Sequence, residues 1–240
     1  MKPYRRVLLK LSGEQFAGNR EHGNGIDPEF INNLAKEIRD VIESTGVQLA
    51  IVVGGGNFMR GAAVSNHGIE RATGDYMGML ATLINATAFV DVLESNGQPA
   101  RLTTRLRCDS VAEPYIRRKA IRHLEKNRVV LIAGGTGNPF VTTDTAAVTA
   151  ALELDCEMVM KATKVDGVYD RDPSKHAGAV RLESLSYEKA LTNREITIMD
   201  NAAVSLAMDN GLPIVIFDLL TSGNIRRVVE GEAIGTRIFE

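Results

Sequence analysis

Seven short apolar runs, rich in β-branched residues, recur along the chain with a helical period between most of them. They are Val7–Leu11, Leu49–Val53, Ala100–Thr103, Val129–Ala133, Glu157–Ala162, Ile214–Phe217 and Thr236–Phe239. Runs that are apolar on both faces cannot lie at a surface. They require a sheet covered by helices on both sides, and the alternation with helices makes that sheet largely parallel. The intervening segments supply the helices. Over Pro28–Ser44 the residues Phe30, Ile31, Leu34, Ile38, Val41 and Ile42 fall at helical spacing. Asp27 reads as the N-cap, Pro28 as the first helical residue and Gly46 as the residue just past the end. Further helices are predicted at about Asp75–Glu94 (Met77, Leu80, Ala81, Ile84, Ala88 and Val92 inward), Pro114–Lys126 (Ile116, Ala120, Ile121 and Leu124 inward) and Asp144–Leu154. Shorter ones follow at Tyr187–Leu191, Asn201–Asn210 and Asn224–Val229. The fold class is therefore α/β, a three-layer αβα sandwich with a mainly parallel central sheet. No repeat, low-complexity tract or linker divides residues 1–240, which read as one unit with two lobes, about 1–155 and about 156–240.

Charge and cysteine content narrow the function. A net charge of −2 argues against a chain whose main task is to grip a nucleic-acid backbone. Cys108 and Cys156 are far apart and form no CxxC, which points to a reducing compartment and inert thiols. The longest uncharged stretches, Tyr76–Val90 and Val129–Thr143, are 15 residues each, short of the roughly 18 that a membrane span needs. Lys10 breaks the apolar run Val7-Leu8-Leu9 before it could act as a signal-peptide core. A cytoplasmic location, with no membrane or nucleic-acid partner, is the expectation. From Lys164 to Arg181 no apolar period is legible, and a loop of that length is usually functional.

The chemistry-bearing residues cluster where strands end. Three runs finish in glycine turns: Leu11-Ser12-Gly13, Gly54-Gly55-Gly56 and Gly134-Gly135-Thr136-Gly137. Such turns let backbone N–H groups close on an anion, and in open α/β sheets ligands bind beyond the carboxyl ends of the strands. A single turn often does no more than close a strand–helix connection. Three on one edge point to a polyanionic ligand or to two phosphorylated ligands meeting. Lys10 and Lys161 each interrupt an apolar run near its end, a costly position unless the ammonium snorkels or meets an anion. With Lys164 and Arg60 nearby they resemble a phosphate clamp. Asp144 and Asp75, each near the start of a helix, also fit simple capping roles. There is no GxxxxGK[ST], no complete GxGxxG, no GxSxG and no HExxH. His22, His67, His123 and His176 show no metal-site spacing and read as surface residues. Arg117, Arg118, Lys119 and Arg122 form a basic helix face, either solvated or facing an anionic effector or partner.

Five segments, in this order, resemble the bacterial uridylate (UMP) kinases of the amino acid kinase superfamily. They are Leu9-Lys10-Leu11-Ser12-Gly13-Glu14, Gly54 to Gly61, Gly74 to Thr82, Gly135 to Asp144, and Lys161 to Tyr169. The Asp75 segment and Thr136–Asp144 are the more specific to the UMP branch. The resemblance implies transfer of the ATP γ-phosphate to UMP with Mg²⁺ bound with ATP, the first lobe holding the phosphoryl acceptor and the second ATP. It implies Lys10 and Lys161 beside the transferring group, organised by Asp144. Lys10, Leu11, Ser12, Gly13, Gly56 and Arg60 would meet the ATP phosphates, Ser12, Gly13 and Gly56 through their backbone. Thr163, Tyr169 and Asp172 would border the ATP nucleoside. Gly55, Asp75, Thr136, Gly137, Asn138, Pro139, Phe140, Val141, Thr142 and Thr143 would hold UMP, with Asp75 on the ribose hydroxyls. The family further implies a homohexamer in pyrimidine nucleotide biosynthesis, a GTP activator met by Arg101 and Arg128, and a UTP inhibitor; no protein-held metal is implied.

The residues support that chemistry in their own right. A phosphate acceptor is already anionic near neutral pH, its second pKa being about 6, so no general base is needed. What is needed is alignment of two repelling anions and neutralisation of the transferred group. Two other readings are a superfamily kinase acting on a carboxylate or carbamate, and a non-catalytic nucleotide- or anion-binding protein on the same scaffold. The Thr136–Asp144 segment and the absence of an appended regulatory domain disfavour the first; Lys10, Asp144 and Lys161 together disfavour the second.

Overall fold

The computed structural model describes residues 3–18, 25–59, 68–171, 173, 175–176, 178–193 and 199–240. The strands are β1 (Arg6–Leu11), β2 (Gln48–Val53), β3 (Ala100–Thr104), β4 (Glu113–Pro114), β5 (Val129–Ala133), β6 (Val159–Thr163), β7 (Val168–Tyr169), β8 (Arg181–Leu182), β9 (Ser184–Ser186), β10 (Ile214–Asp218) and β11 (Thr236–Phe239). The helices are α1 (Gly13–Phe16), α2 (Pro28–Thr45), α3 (Arg71–Ser95), α4 (Arg117–Leu124), α5 (Thr143–Glu153), α6 (Tyr187–Thr192), α7 (Asn201–Asp209) and α8 (Asn224–Val229).

Nine strands form one sheet in the order β4-β3-β5-β2-β1-β6-β10-β11-β9, and β7 and β8 pair as a separate two-stranded ladder. All neighbours in the large sheet are parallel except β10 and β11. One face packs on α2, α3 and α8 through residues such as Leu9, Leu11, Ile38, Phe89 and Val228. The other packs on α4, α5, α6 and α7 through Leu8, Leu124, Ala147, Tyr187 and Ala203. This is the three-layer αβα arrangement that the two-sided strands require. The strand order reverses between β1 and β6, so the carboxyl ends of these two strands form the crevice where open sheets bind ligands.

Local chemistry accounts for the element ends. Asp27 caps α2 by accepting from the N–H groups of Glu29 and Phe30, and Gly46 ends it in the left-handed conformation (φ 70°). Helix α5 begins one residue earlier than expected, and Thr142, not Asp144, is its cap, accepting from the Asp144 N–H at 3.0 Å. Helix α3 begins a full turn before Asp75, so the capping role for Asp75 does not hold.

The buried face of α3 also differs from the sequence expectation. Leu80 and Ile84 are half exposed, while Met79, Leu83, Ala86, Phe89 and Leu93 are buried. The helix is apolar nearly all round, so periodicity could not choose its inward side. Two buried polar residues settle it. Thr82 accepts from the Gly134 N–H at 2.8 Å, and Asn85 donates to the Gly54 carbonyl at 2.7 Å. By length and composition α3 could cross a membrane, but its buried side packs on α2, β3 and β5 as a core helix. Ile116, expected inside, precedes the shorter α4 and is exposed. His123 is not a surface residue; it lies within 3.5 Å of Glu113 and 3.2 Å of Arg128. His22 and His67 lie outside the described residues. The Lys164–Arg181 stretch, without legible period, carries β7 and the start of β8.

Candidate active site

Two lysines stand side by side because of strand register. Lys10 on β1 is the direct partner of Lys161 on β6. Residues two apart on a strand share a face, so Lys10 and Lys161 follow Leu8 and Val159 onto the side covered by α5. Helix α5 answers them with the second residue of its first turn. Lys10 Nζ lies 2.8 Å from Asp144 Oδ1, and Lys161 Nζ lies 2.7 Å from Asp144 Oδ2. The side chains are 8%, 14% and 12% exposed for Lys10, Lys161 and Asp144. The Lys10 contact is an ion pair off the hydrogen-bonding angle, so Oδ1 makes no aligned hydrogen bond.

The electrostatics follow from this arrangement. Burial acting alone would raise the Asp144 pKa, but the two ammonium groups outweigh it and hold the carboxyl below its ordinary value. Burial lowers the Lys161 pKa, with Lys10 adding to the effect and Asp144 opposing it. The result is a fixed, partly dehydrated carboxylate spending its charge on two cations. Each oxygen faces one ammonium group, Oδ1 that of Lys10 and Oδ2 that of Lys161.

Around this triad lies a cleft of about 380 Å³. It is lined from three glycine turns by Ser12, Gly13, Gly54, Gly55, Gly56 and Gly135, from α3 by Arg71, Asp75, Gly78, Met79 and Thr82, and from the α5 approach by Thr136, Asn138, Val141, Thr142, Thr143 and Asp144. The turns are packed backbone to backbone. A Cβ on Gly13 would lie 2.3 Å from the Gly56 nitrogen, and one on Gly55 would lie 2.6 Å from the Gly78 carbonyl oxygen. Asn57 and Asn85, both fully buried, exchange amide hydrogen bonds at 2.8 and 2.9 Å, and Asn57 also donates to the Gly25 carbonyl. This interlock holds the Gly54–Gly56 turn against α3. Two larger hollows exist, about 450 Å³ beside β9 and α6 and about 590 Å³ between α2 and the end of β10. Neither is lined by any of the triad, so chemistry and not size selects the site.

The expected residues distribute unevenly. Lys10, Ser12, Gly13, Gly55, Gly56, Asp75, Thr136, Asn138, Val141, Thr142, Thr143 and Asp144 line the cleft. The Ser12 N–H donates to Gln15 Oε1 at 2.7 Å as part of a capping box at the start of α1. The Leu11 side chain lies in the core and its carbonyl accepts from the Gly54 N–H. Phe140 adopts a left-handed conformation (φ 66°) that turns its N–H onto Asp75 Oδ2 at 2.8 Å. Gly137 and Pro139 flank that segment; the Gly137 N–H closes its turn on the Gly134 carbonyl. Thr163 ends β6, donating to the Val165 and Phe217 carbonyls, and Tyr169 sits on β7 with its hydroxyl on Asp166. Lys164 is exposed just past β6. Arg60 and Asp172 lie outside the described residues. Arg101 and Arg128 lie at the amino ends of β3 and β5, away from the cleft, and meet Glu94 and His123.

Asp200 and Arg71 are among the cleft residues that sequence reasoning missed. Asp200 caps α7 by accepting from the Ala203 N–H, and the same carboxylate accepts from the Thr142 and Thr145 hydroxyls. An acidic residue directly before Asn201 was the available signal. Arg71 pairs with Asp75 at 3.0 Å one turn away, a spacing that becomes visible once the true start of α3 is known. Among the described residues no group of three or more acidic, histidine or cysteine side chains could hold a metal ion. Asp144 and Asp200 already accept from protein donors.

Comparison with known proteins agrees with this geometry. Residues 5–218 match the amino acid kinase family. The structure resembles UMP kinase from Bacillus anthracis, with 37% identity over 99% of this chain and 96% of that one, and a TM-score of 0.93. It resembles UMP kinase from Ureaplasma parvum with 29% identity over 99% of both chains and a TM-score of 0.90. For uridylate kinase from Archaeoglobus fulgidus the identity is 28%, over 97% of this chain and 99% of that one, with a TM-score of 0.71. A match running from β1 to the end of β10, through both lysines and the carboxylate between them, places the chain in the amino acid kinase family.

Proposed function

We propose that the chain is a UMP kinase, moving the γ-phosphoryl group of ATP to the phosphate of UMP. The observation that carries this reading is the Asp144 carboxylate held between register-paired Lys10 and Lys161, at the mouth of three glycine turns. Similarity to UMP kinases over nearly the whole chain supports the choice of acceptor.

The reaction follows from charge. A UMP phosphate oxygen attacks the γ-phosphorus, the bond from that phosphorus to the β,γ-bridging oxygen breaks, and ADP leaves with the electron pair. The nucleophile is anionic without help, so no side chain need take a proton. Lys10 and Lys161 offset the charge spread over the transferred oxygens, and Asp144 keeps both in place before substrate arrives. Gly13 and Gly56 present backbone to the donor phosphates. Gly55, Asp75 and the Thr136–Thr143 segment enclose the acceptor, Asp75 holding ribose hydroxyls. Thr163 and Tyr169 border the donor nucleoside. Residues of about 1–155 form the acceptor lobe and about 156–240 the donor lobe. Mg²⁺ bound with ATP would add to the charge neutralisation that Lys10 and Lys161 give the transferred group. The same reading carries a homohexamer, cytoplasmic pyrimidine nucleotide synthesis, activation by GTP through Arg101 and Arg128, and inhibition by UTP.

A coupled ADP-release assay with UMP, CMP, aspartate and glutamate tests the assignment, each with and without GTP. ADP release that depends on UMP is the expected result. Release driven by an amino acid, or release indifferent to UMP, would overturn it.

A further inference from the structure

We infer that Thr236, remote from the phosphates, is a positioning residue that sets the donor nucleoside's wall. The inference rests on the proposed reading in which Tyr169 borders ATP. Thr236 is fully buried on β11, where it pairs with Ile216 of β10. Its hydroxyl accepts from the Val168 N–H at 2.8 Å and donates to the Leu182 carbonyl at 2.5 Å. Val168 and Leu182 face each other in the β7–β8 ladder. One hydroxyl therefore bridges both strands of the hairpin to the main sheet, and β7 and β8 have no strand partner in that sheet.

The neighbouring contacts carry this anchorage to Tyr169. Arg181, opposite Tyr169 in the ladder, donates to the Gly235 carbonyl at 2.6 Å and lies 3.6 Å from Asp166. Asp166 accepts from the Tyr169 hydroxyl at 2.7 Å. The fit beneath the hairpin is close: a Cβ on Gly167 would lie 2.7 Å from the Thr236 hydroxyl oxygen. Valine has threonine's shape but can neither donate nor accept here, so it releases the hairpin without emptying the core.

The test compares Thr236→Val, Thr236→Ser, Gly167→Ala and Tyr169→Ala in steady-state assays with ATP and UMP varied separately. Thr236→Val, which loses both hydrogen bonds of the hydroxyl, should raise the KM for ATP about tenfold. The KM for UMP and kcat at saturating ATP should stay within about threefold, because the Thr236 hydroxyl bonds to Val168 and Leu182 and not to the acceptor wall or the triad. Thr236→Ser, which keeps the hydroxyl, should behave as wild type. Gly167→Ala reaches the same contact from the other side and should also raise the KM for ATP, which keeps the test open if the valine variant does not fold. An unchanged KM for ATP in Tyr169→Ala would overturn the placement of ATP itself. A raised value there, with none in Thr236→Val or Gly167→Ala, would overturn only the role of Thr236. Equal damage to both substrates would show a loss of general stability and would also overturn it.

Discussion

Replacing Asp144 with asparagine keeps the shape at the centre of the cleft and removes its charge. In the wild type each ammonium lies within 2.8 Å of an Asp144 oxygen. For charge centres about 4 Å apart, an effective dielectric near 20 gives an attraction of about 4 kcal/mol per pair. Allowing roughly half of that to be recovered by relaxation and entering water leaves about 2 to 3 kcal/mol per pair. Burial already lowers the Lys161 pKa, with Asp144 opposing the fall, so asparagine lowers it further. The alkaline limb of the kcat profile should therefore move to lower pH. At neutral pH kcat should drop about 10²- to 10³-fold, the usual loss when a group stabilising transition-state charge is disabled, while the KM for UMP changes little. Stability gives an independent reading. The Asp144 pKa is depressed below 3.8, so its contribution is present above that value and is lost as the pH falls through the folded-state pKa. The wild type should exceed the variant by about 3 to 5 kcal/mol at neutral pH, and the gap should narrow below about pH 4. Steady-state pH profiles and thermal unfolding at pH 7 and pH 3 measure both. A variant with near-normal kcat and an unmoved alkaline limb would refute the organising role.

Three further outcomes follow from the geometry. Gly13→Ala would put a Cβ 2.3 Å from the Gly56 nitrogen. The two turns must then separate, and kcat/KM for ATP should fall about 10²-fold; wild-type kinetics would contradict the close approach. Asn85→Ala removes the bonds to the Gly54 carbonyl and to Asn57 in a fully buried setting. Urea unfolding should show a loss of about 3 kcal/mol from the groups left unpaired, and a loss below about 1 kcal/mol would mean that water or rearrangement satisfies them. Asp75→Asn weakens the pairing with Arg71 and removes the charge that the proposed function assigns to the ribose contact. The KM for UMP should rise about tenfold with the KM for ATP nearly unchanged, and a reversed preference would put the acceptor elsewhere.

The seven apolar strands, the caps of α2 and the glycine turns were legible in the sequence because each depends on local chemistry, whereas the short β4, β7, β8 and β9 were not. Two-sided apolar runs bury themselves, Asp27 and Gly46 satisfy helix ends within a few residues, and glycine marks close backbone approach. Lys10 and Lys161 were legible as strand-end ammonium groups that need an anion, whereas the place of Asp144 between them was implied only by the family resemblance. What the sequence did not contain was pairing across distance. Only the parallel register of β1 and β6 makes the two lysines neighbours, and only the seating of α5 on that face brings Asp144 between them. The inward face of α3 was likewise undecided by an apolar period running nearly all round it. Its orientation came from Thr82 and Asn85, whose hydrogen bonds reach turns 52 and 31 residues away. Local signals set what each segment became; contacts between distant segments set which way each one faced, because a buried polar group must find its partner wherever the chain has carried it.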